Sequence, residues 1–373
     1  VTAVNTHVQT APLTGGDSDG LDDPLGLEHQ RRRVSLWVLG LIFALLTACI
    51  AGVAIGAVSI DPRVIVQVIA HHASMGQLFT TPVWTTAEDA IVWEVRLPRV
   101  ILGAVVGAGL AVCGLVLQAM VRNPLADPHL LGINSGASCG AAAAILFGLG
   151  MGLSAHALQL TAFLGALVAA LAVYGLARTG GPMSSLKLLL AGVAVGYALN
   201  ALTSFLVFLS GDAEGTRSVM FWLLGSLSSA SWGSPLLAVV TVTACALTVL
   251  WAQARRIDAL SIGDGAARSL GVNPERQRTL LLVIVAACIG VLVSAAGSIG
   301  FVGLVVPHLA RALVGAGHRH NLPVAALLGA VLLVLADLAA RTVLQPQELP
   351  IGIITALLGT PFLILLIRRT RTA

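Results

Sequence analysis

Apolar blocks, each about as long as a helix that crosses a bilayer, recur from residue 35 almost to the end of the chain. Roughly 20 apolar residues span the hydrocarbon core, where a helix satisfies its own backbone polar groups. The pattern predicts ten spans, near 35–58, 93–119, 128–150, 156–178, 186–210, 234–254, 279–297, 300–316, 322–341 and 350–367. The apolar piece 218–230 is too short to cross and reads as a re-entrant or interfacial helix. Residues 1–30 are polar, with Asp17, Asp19, Asp22 and Asp23 beside Gly15 and Gly16. They read as part of a disordered cytoplasmic tail, 1–34, rather than a secretory signal. One transmembrane domain over 35–370 is expected to follow.

Composition strengthens this reading. The 373 residues are 57% hydrophobic and 10% charged, with a mean hydropathy of +0.93. Soluble domains carry about 25% charged residues, so this chain's solvent is lipid and its fold class all-α membrane protein. The 40 glycines, spread through the spans, suit close helix–helix approach. The net charge of +4 is too small to imply a nucleic-acid partner, and its distribution says more. With the N-terminus inside, the inner ends hold Arg31, Arg32, Arg33, Arg122, Arg178, Lys187, Arg255, Arg256, Arg268, Arg276, Arg278, Arg311, Arg319, Arg368, Arg369 and Arg371. Only Arg63, Arg96, Arg99, Arg217 and Arg341 remain outside, a split of 16 to 5. By the positive-inside rule both termini are expected in the cytoplasm.

A shift of 179 residues superposes Arg99 on Arg278, Leu125 on Leu304, Pro128 on Pro307, His129 on His308, Leu130 on Leu309 and Gly136 on Gly315. Arg99 begins an inward-running span and Arg278 an outward-running one, as in an inverted repeat, a common transporter architecture.

The chemistry of the chain argues against an enzyme. There is no GxxxxGK[ST] loop, and the single lysine, Lys187, follows no glycine loop, so ATP hydrolysis by P-loop chemistry belongs elsewhere. Cys49, Cys113, Cys139, Cys245 and Cys288 lie in apolar stretches without metal-ligand spacing and read as packing thiols. His129 and His308, each beside a proline, read as hydrogen-bonded structural groups rather than haem or metal ligands. No cofactor is expected on this chain.

Charges in or beside spans are costly and therefore informative. Asp337 and Arg341 stand four apart and can pair on one helix face. Arg96 and Arg99, one turn apart, flank Leu97-Pro98 at the outer end of the second span. Arg96, Arg99 and Arg341 can receive carboxylates from a docking protein, or anchor the helices at the interface by snorkelling. The polar segment 255–278 predicts a short amphipathic helix over Gly263–Gly271, with Asp264, Ala266, Ala267, Arg268 and Leu270 between the glycines. It fits a groove on a cytosolic partner or serves as a solvated connector. Breaks at Pro124, Pro128, Gly300, Gly303 and Pro307 free backbone groups that are tolerated only inside protein or against water. They mark moving or pore-lining segments, or simply reflect how common these residues are in membrane helices.

Several motifs carry a resemblance. Arg96-Leu97-Pro98-Arg99 is followed by Gly114-x-x-x-Gln118, by Arg122-Asn123-Pro124-Leu125-Ala126-Asp127-Pro128 and by Leu131-Gly132-Ile133-x-x-Gly136-Ala137. Later come Gly300-Phe301-Val302-Gly303-Leu304-Val305-Val306-Pro307-His308 with Arg311, Asp337-x-x-x-Arg341, Glu348-Leu349-Pro350-Ile351-Gly352, and Gly359-Thr360-Pro361-Phe362. Over roughly 35–370 the chain resembles the FecCD permeases of iron-siderophore, haem and cobalamin ABC importers. Thr360 departs from the small residue, commonly alanine, expected there.

The resemblance implies a ten-span fold of the cobalamin (type II) importer kind in the bacterial cytoplasmic membrane. It implies a permease dimer, homo- or heteromeric, two cytosolic ATPases that bind ATP and Mg, and an extracytoplasmic binding protein. It further implies docking roles for Arg96, Arg99 and Arg341 and an ATPase-coupling role for Gly263–Gly271. Asn123, Pro124, Pro128, Gly300, Gly303 and Pro307 would belong to pore or gating segments moving in alternating access. A ferric siderophore is the first-choice cargo, with haem and cobalamin open. The rival class is an ion-gradient-driven secondary transporter, which would need intramembrane acids; Asp337 is the clear span acid and has Arg341 as its partner. A membrane-embedded enzyme is the weaker rival.

Overall fold

A computed structural model describes residues 27–370 except 57, 76, 78–82 and 151–155. In chain order the α-helices are α1 (Leu27–Ala54), α2 (Pro62–Ala73), α3 (Thr86–Asp89), α4 (Leu97–Val121), α5 (Ile133–Phe147), α6 (Ala157–Arg178), α7 (Ser185–Ser210) and α8 (Ala213–Leu223). Then follow α9 (Ser234–Ala252), α10 (Ala254–Ile262), α11 (Asp264–Ser269), α12 (Pro274–Ala296), α13 (Val302–Val314), α14 (His318–Thr342) and α15 (Ile351–Thr370). Seven π-helical residues, Ala90–Arg96, join α3 to α4. Local sequence explains the starts: Thr85 and Glu88 form a capping box before α3, and Asn273 with Pro274 opens α12.

Seven of the expected spans are, among the described residues, helices long and apolar enough to cross a membrane; Thr86–Val121 is the longest, at 36 residues. Two are shorter than the hydropathy suggested, Ile133–Phe147 and Val302–Val314, while the last is helical over Ile351–Thr370. The cause is backbone geometry that hydropathy does not register. A 3-10 turn over Pro128–Leu131 and Gly132 at φ 70° delay α5, and left-handed Gly148 ends it. Phe301 at φ 68° and Gly315 at φ 86° bound α13 in the same way.

Other boundaries also move. The short helix expected at 218–230 is Ala213–Leu223, started by Asp212, whose carboxylate accepts from the backbone N–H of Glu214 and Gly215. Most of the expected tail lies outside the described residues, but 27–34 is helical and opens α1.

α4 is the axis of the bundle, and α9, α12, α13 and α14 pack around it. Small residues permit this. A Cβ on Gly107 would sit 2.1 Å from the Gly329 carbonyl oxygen of α14, and one on Gly329 would sit 2.2 Å from the Gly107 oxygen. Gly136 and Gly165 make the same close crossing between α5 and α6. Gly107→Leu is therefore expected to destabilise the protein by about 3 kcal/mol. Gly175→Leu, at a position with nothing within 4 Å, should be silent. Thermal unfolding in detergent distinguishes the two; equal midpoints would contradict the assignment.

The helix ends gather at two faces. One, the basic face, holds the start of α1, the end of α4, the α6–α7 turn, α10, α11 and the starts of α12 and α14. The opposite face holds the end of α1, α2, α3, α8 and the α12–α13 and α14–α15 turns. Between them, large apolar side chains face outward, such as Leu39, Phe43 and Ile50 on α1 and Phe205 and Phe208 on α7, a surface suited to lipid or to a partner helix.

Candidate functional site

At the opposite face the three predicted arginines come together, but not as free groups. Arg99, at the start of α4, donates from Nε to Asp337 Oδ1 at 2.9 Å and from Nη1 to Glu348 Oε2 at 2.9 Å. Arg341 Nε lies 3.0 Å from Asp337 Oδ2, off the axis of a hydrogen bond, so that the contact is ionic. This is the intrahelical pair the spacing suggested, now shared with a third partner.

Arg341 also donates from Nη2 to Gly52 O at 3.0 Å, and Arg96 donates to Val53 O at 2.9 Å and Ala54 O at 3.1 Å. Gly52, Val53 and Ala54 end α1, where the last carbonyls lack intrahelical donors and carry the negative end of the helix dipole. All three arginines are buried. The expectation that their guanidinium groups face a docking protein, and the alternative that they snorkel, both differ from this geometry. Their charges are met within the chain by carboxylates and helix-end carbonyls, because unpaired charge in a low-dielectric interior is prohibitive. Glu348, with a side chain 48% exposed, is the outermost member of the cluster.

Beside Glu348 opens a cavity of about 1340 Å³ bounded by α5, α6, α8 and the end of α12. Its wall is mostly apolar, with Ile145, Leu158, Phe221, Trp222 and Leu349, and serine hydroxyls such as Ser218, Ser229 and Ser294 are set into it, with Arg217 and Glu214 also in the lining. Few groups there carry charge, and the hydroxyls can hydrogen-bond in either direction.

A second buried cluster forms at the basic face. Arg278, wholly buried, donates to both Asp264 oxygens, to Ser185 Oγ at 3.0 Å, to Met183 O at 3.3 Å and to Met120 O at 3.4 Å. One side chain thereby ties α11 to the end of α4 and the start of α7. Hydrogen bonding from Arg278 holds the Asp264 carboxyl below its ordinary value, against the opposing effect of burial. In the sequence Arg278 stands among the inner-face basic residues and as the repeat mate of Arg99, and that match is the signal for its role.

The short helix expected between Gly263 and Gly271 is α11, Asp264–Ser269, and α10 before it makes the pair a helical hairpin. Gly263, at φ 141° and ψ 164°, separates α10 from α11 in a region essentially restricted to glycine. Gly271, at φ 77°, ends α11 in a Schellman motif: its N–H bonds to Arg268 O and that of Val272 to Ala267 O. Ala267 is buried beneath the hairpin, whereas Ile262 and Leu270 stand 69% and 63% exposed. Asp264 faces the clasp, Ala266 is half-buried, and Arg268 points out.

Between the clusters lies the proline-bearing segment. Pro307 lacks an N–H, which frees the Gly303 carbonyl one turn back. Gln118 of α4 approaches that carbonyl at 3.4 Å, and its own oxygen accepts from Arg311. Gly303 and Gly114 meet backbone to backbone: a Cβ on Gly114 would lie 2.0 Å from Gly303 O. A Cβ on Gly303 would in turn lie 2.7 Å from Pro128 Cδ. Thus Pro128, Gly303 and Pro307 converge, with Gly300 just before α13, while Asn123 and Pro124 lie in the turn after α4. His308 Nδ1 is 3.0 Å from Leu304 O, a hydrogen-bonded structural position. Thr360 is exposed on α15. Among the described residues no group of three or more His, Cys, Asp and Glu could hold a metal ion.

Two buried charge clusters at opposite faces of a glycine-packed bundle, one braced to a hairpin that exposes Ile262 and Leu270 and one beside a large cavity with serine hydroxyls in its wall, describe a multi-pass membrane transport protein. The chain belongs to the FecCD transport family, whose description matches residues 43–369. It is 46% identical over 280 residues to the cobalamin import system permease protein BtuC of Halobacterium salinarum, covering 75% of this chain and 74% of that one. It is 42% identical over 310 residues to the hemin transport system permease protein HmuU of Yersinia pestis, covering 80% and 91%. A solved transporter classed as a metal-chelate type ABC transporter, in an inward-facing conformation, superposes with a TM-score of 0.76 at 32% identity, covering 89% of this chain and 98% of that one. This chain is the transmembrane permease subunit of an ABC importer, a transport subunit rather than an enzyme.

Proposed function

We propose that the permease carries a metal chelate, a ferric siderophore first and haem or a cobalamin as alternatives, across the cytoplasmic membrane. The observation that carries this reading is the large cavity beside Glu348, apolar with serine hydroxyls set into its wall, in a chain whose relatives are named for cobalamin and hemin. Hydroxyls bind a polar chelate weakly and in many orientations, which suits a passage better than a deep well.

In this reading the basic face is cytoplasmic, with both termini there, and 35–370 acts as one ten-span transmembrane domain. Two permeases form the passage, and two ATPases meet the α10–α11 hairpin through Ile262 and Leu270. A binding protein docks on the opposite face, where Arg96, Arg99 and Arg341 hold the docking surface in place from beneath. Alternating access moves the segments around Asn123, Pro124, Pro128, Gly300, Gly303 and Pro307.

An inverted repeat is supported by matching neighbours: α4 packs on α13 and α14, and α12 packs on α5 and α6. Arg99 and Arg278 also head their helices at opposite faces, each holding a carboxylate. Asp337, the acid an ion-coupled mechanism would need, is locked between Arg99 and Arg341.

Proteoliposomes containing the permease, its companion ATPase and binding protein should show vanadate-sensitive, ATP-dependent uptake of a ferric siderophore in preference to hemin or cobalamin. Uptake driven by an ion gradient without the ATPase would overturn the importer reading. ATP-driven uptake of hemin or cobalamin alone would overturn only the first-choice cargo.

A further inference from the structure

Two small adjoining cavities, of about 310 and 400 Å³, share Arg319 at the basic face. The first is lined by Trp251 at the end of α9 and Arg255 at the start of α10. The second is lined by Gln30 and Arg31 of α1 and by His320 of α14. The Arg319 guanidinium lies over the Trp251 ring at 5.7 Å, and Trp251 Nε1 donates to Arg319 O at 3.2 Å. Ring and backbone therefore hold this cation at the mouth of both cavities.

The electrostatics leave the notch in want of an anion. Arg31, Arg255 and Arg319 are exposed, and no ion pair joins any of them to a carboxylate among the described residues. Two acids lie nearby: Glu28, one turn before Arg31 on α1, and Asp258, which accepts from the His318 backbone at 3.0 Å and lies 2.6 Å from His318 Nδ1.

α1 and α9 both pack on α14, so the notch sits where three helices meet. Trp251, at its edge, is 48% exposed. A tryptophan at this depth belongs at the headgroup level, and basic pockets between membrane helices suit anionic headgroups.

We propose that this notch binds an anionic phospholipid, its phosphodiester on Arg31, Arg255 and Arg319. Arginine suits the task because its planar fork meets phosphate oxygens in pairs. The site is built from three separate stretches of chain, so a bound lipid would hold α1 and α9 against α14.

Native mass spectrometry of the purified full chain, in detergent supplemented with phosphatidylglycerol or phosphatidylcholine, tests this. Phosphatidylglycerol should be retained preferentially, and R31Q/R255Q/R319Q should weaken it by about fivefold per arginine removed. R276Q, an exposed arginine at the start of α12, should leave retention unchanged. R255Q alone, at an exposed position, should still lose about fivefold, should the triple variant fold poorly. Equal retention of phosphatidylcholine, or unchanged retention in both R255Q and the triple variant, would overturn the proposal. Displacement by glycerol phosphate at concentrations equal to the lipid would show a free-phosphate site instead. Occlusion of the notch by the companion ATPase, with loss of bound lipid in the assembled complex, would identify it as a protein contact and overturn the lipid assignment.

Discussion

Asp337→Ala is expected to destabilise the protein by about 3–5 kcal/mol, the range for removing one partner of a buried ion pair. Asp337 is 2% exposed and stands between two buried arginines, Arg99 and Arg341. Removing it leaves Arg99 with only Glu348, whose side chain is half in solvent, and Arg341 with only the Gly52 carbonyl. Asp337→Asn should fall between, because an amide oxygen can still accept from Arg99 Nε but carries no charge. Asp337→Ala/Arg341→Met should be less damaging than the sum of its single changes, since an apolar replacement removes the stranded cation as well. Unfolding midpoints in detergent measure all three. If Asp337→Ala lies within about 1 kcal/mol of the parent, the cluster does not hold α4, α14 and the end of α1 together.

How much of this was legible in the sequence depends on whether the controlling contact is local. Helix positions were legible, since hydropathy is a property of each segment, and so was the Asp337–Arg341 pair, four residues apart on one helix. The direction of Arg96 was not: its acceptors, Val53 and Ala54, are 43 and 42 residues away, and only the packing of α1 brings its carbonyl end there. The same holds for Arg278, whose partners Met120 and Ser185 are 158 and 93 residues distant. The lengths of α5 and α13 were overread because the apolar character of 128–132 and 297–301 continues through turns set by Gly132 and Phe301. The helix between Gly263 and Gly271 was legible from its two glycines, whereas α10 was not, because it follows the end of α9 at Ala252 with only Gln253 between them. The Gly114-x-x-x-Gln118 motif was visible as a pattern, but its sense became clear only opposite the carbonyl freed by Pro307.

Arg278→Gln is expected to lower uptake at least tenfold while the companion ATPase continues to turn over. The guanidinium joins the hairpin that we assign to the ATPase to the ends of α4 and α7, through Asp264, Met120, Met183 and Ser185. An amide cannot reach four acceptors on separate elements, and force on α11 would then move the hairpin without moving the helices above it. Arg278→Lys should recover only part of the loss, because a compact ammonium has three donors and no planar fork. Asp264→Asn should be milder than Arg278→Gln, since Arg278 keeps its bonds to Ser185 and the two backbone carbonyls. The acid dependence has a definite sign. Arg278 holds the Asp264 carboxyl below its ordinary value, so the clasp is complete above the ordinary carboxylate range and loosens only as pH falls through the lowered value. Coupling through this pair should therefore be flat from about pH 5 to 8, and a titration of the clasp within that window would contradict the geometry. Ile262→Asp/Leu270→Asp provides the contrast, since it disturbs the exposed face of the hairpin and leaves the clasp intact. That variant should lose ATPase binding, whereas Arg278→Gln should keep it and lose only the number of solutes moved per ATP. Equal transport stoichiometry in Arg278→Gln and the parent would show that the clasp stabilises the fold but transmits nothing.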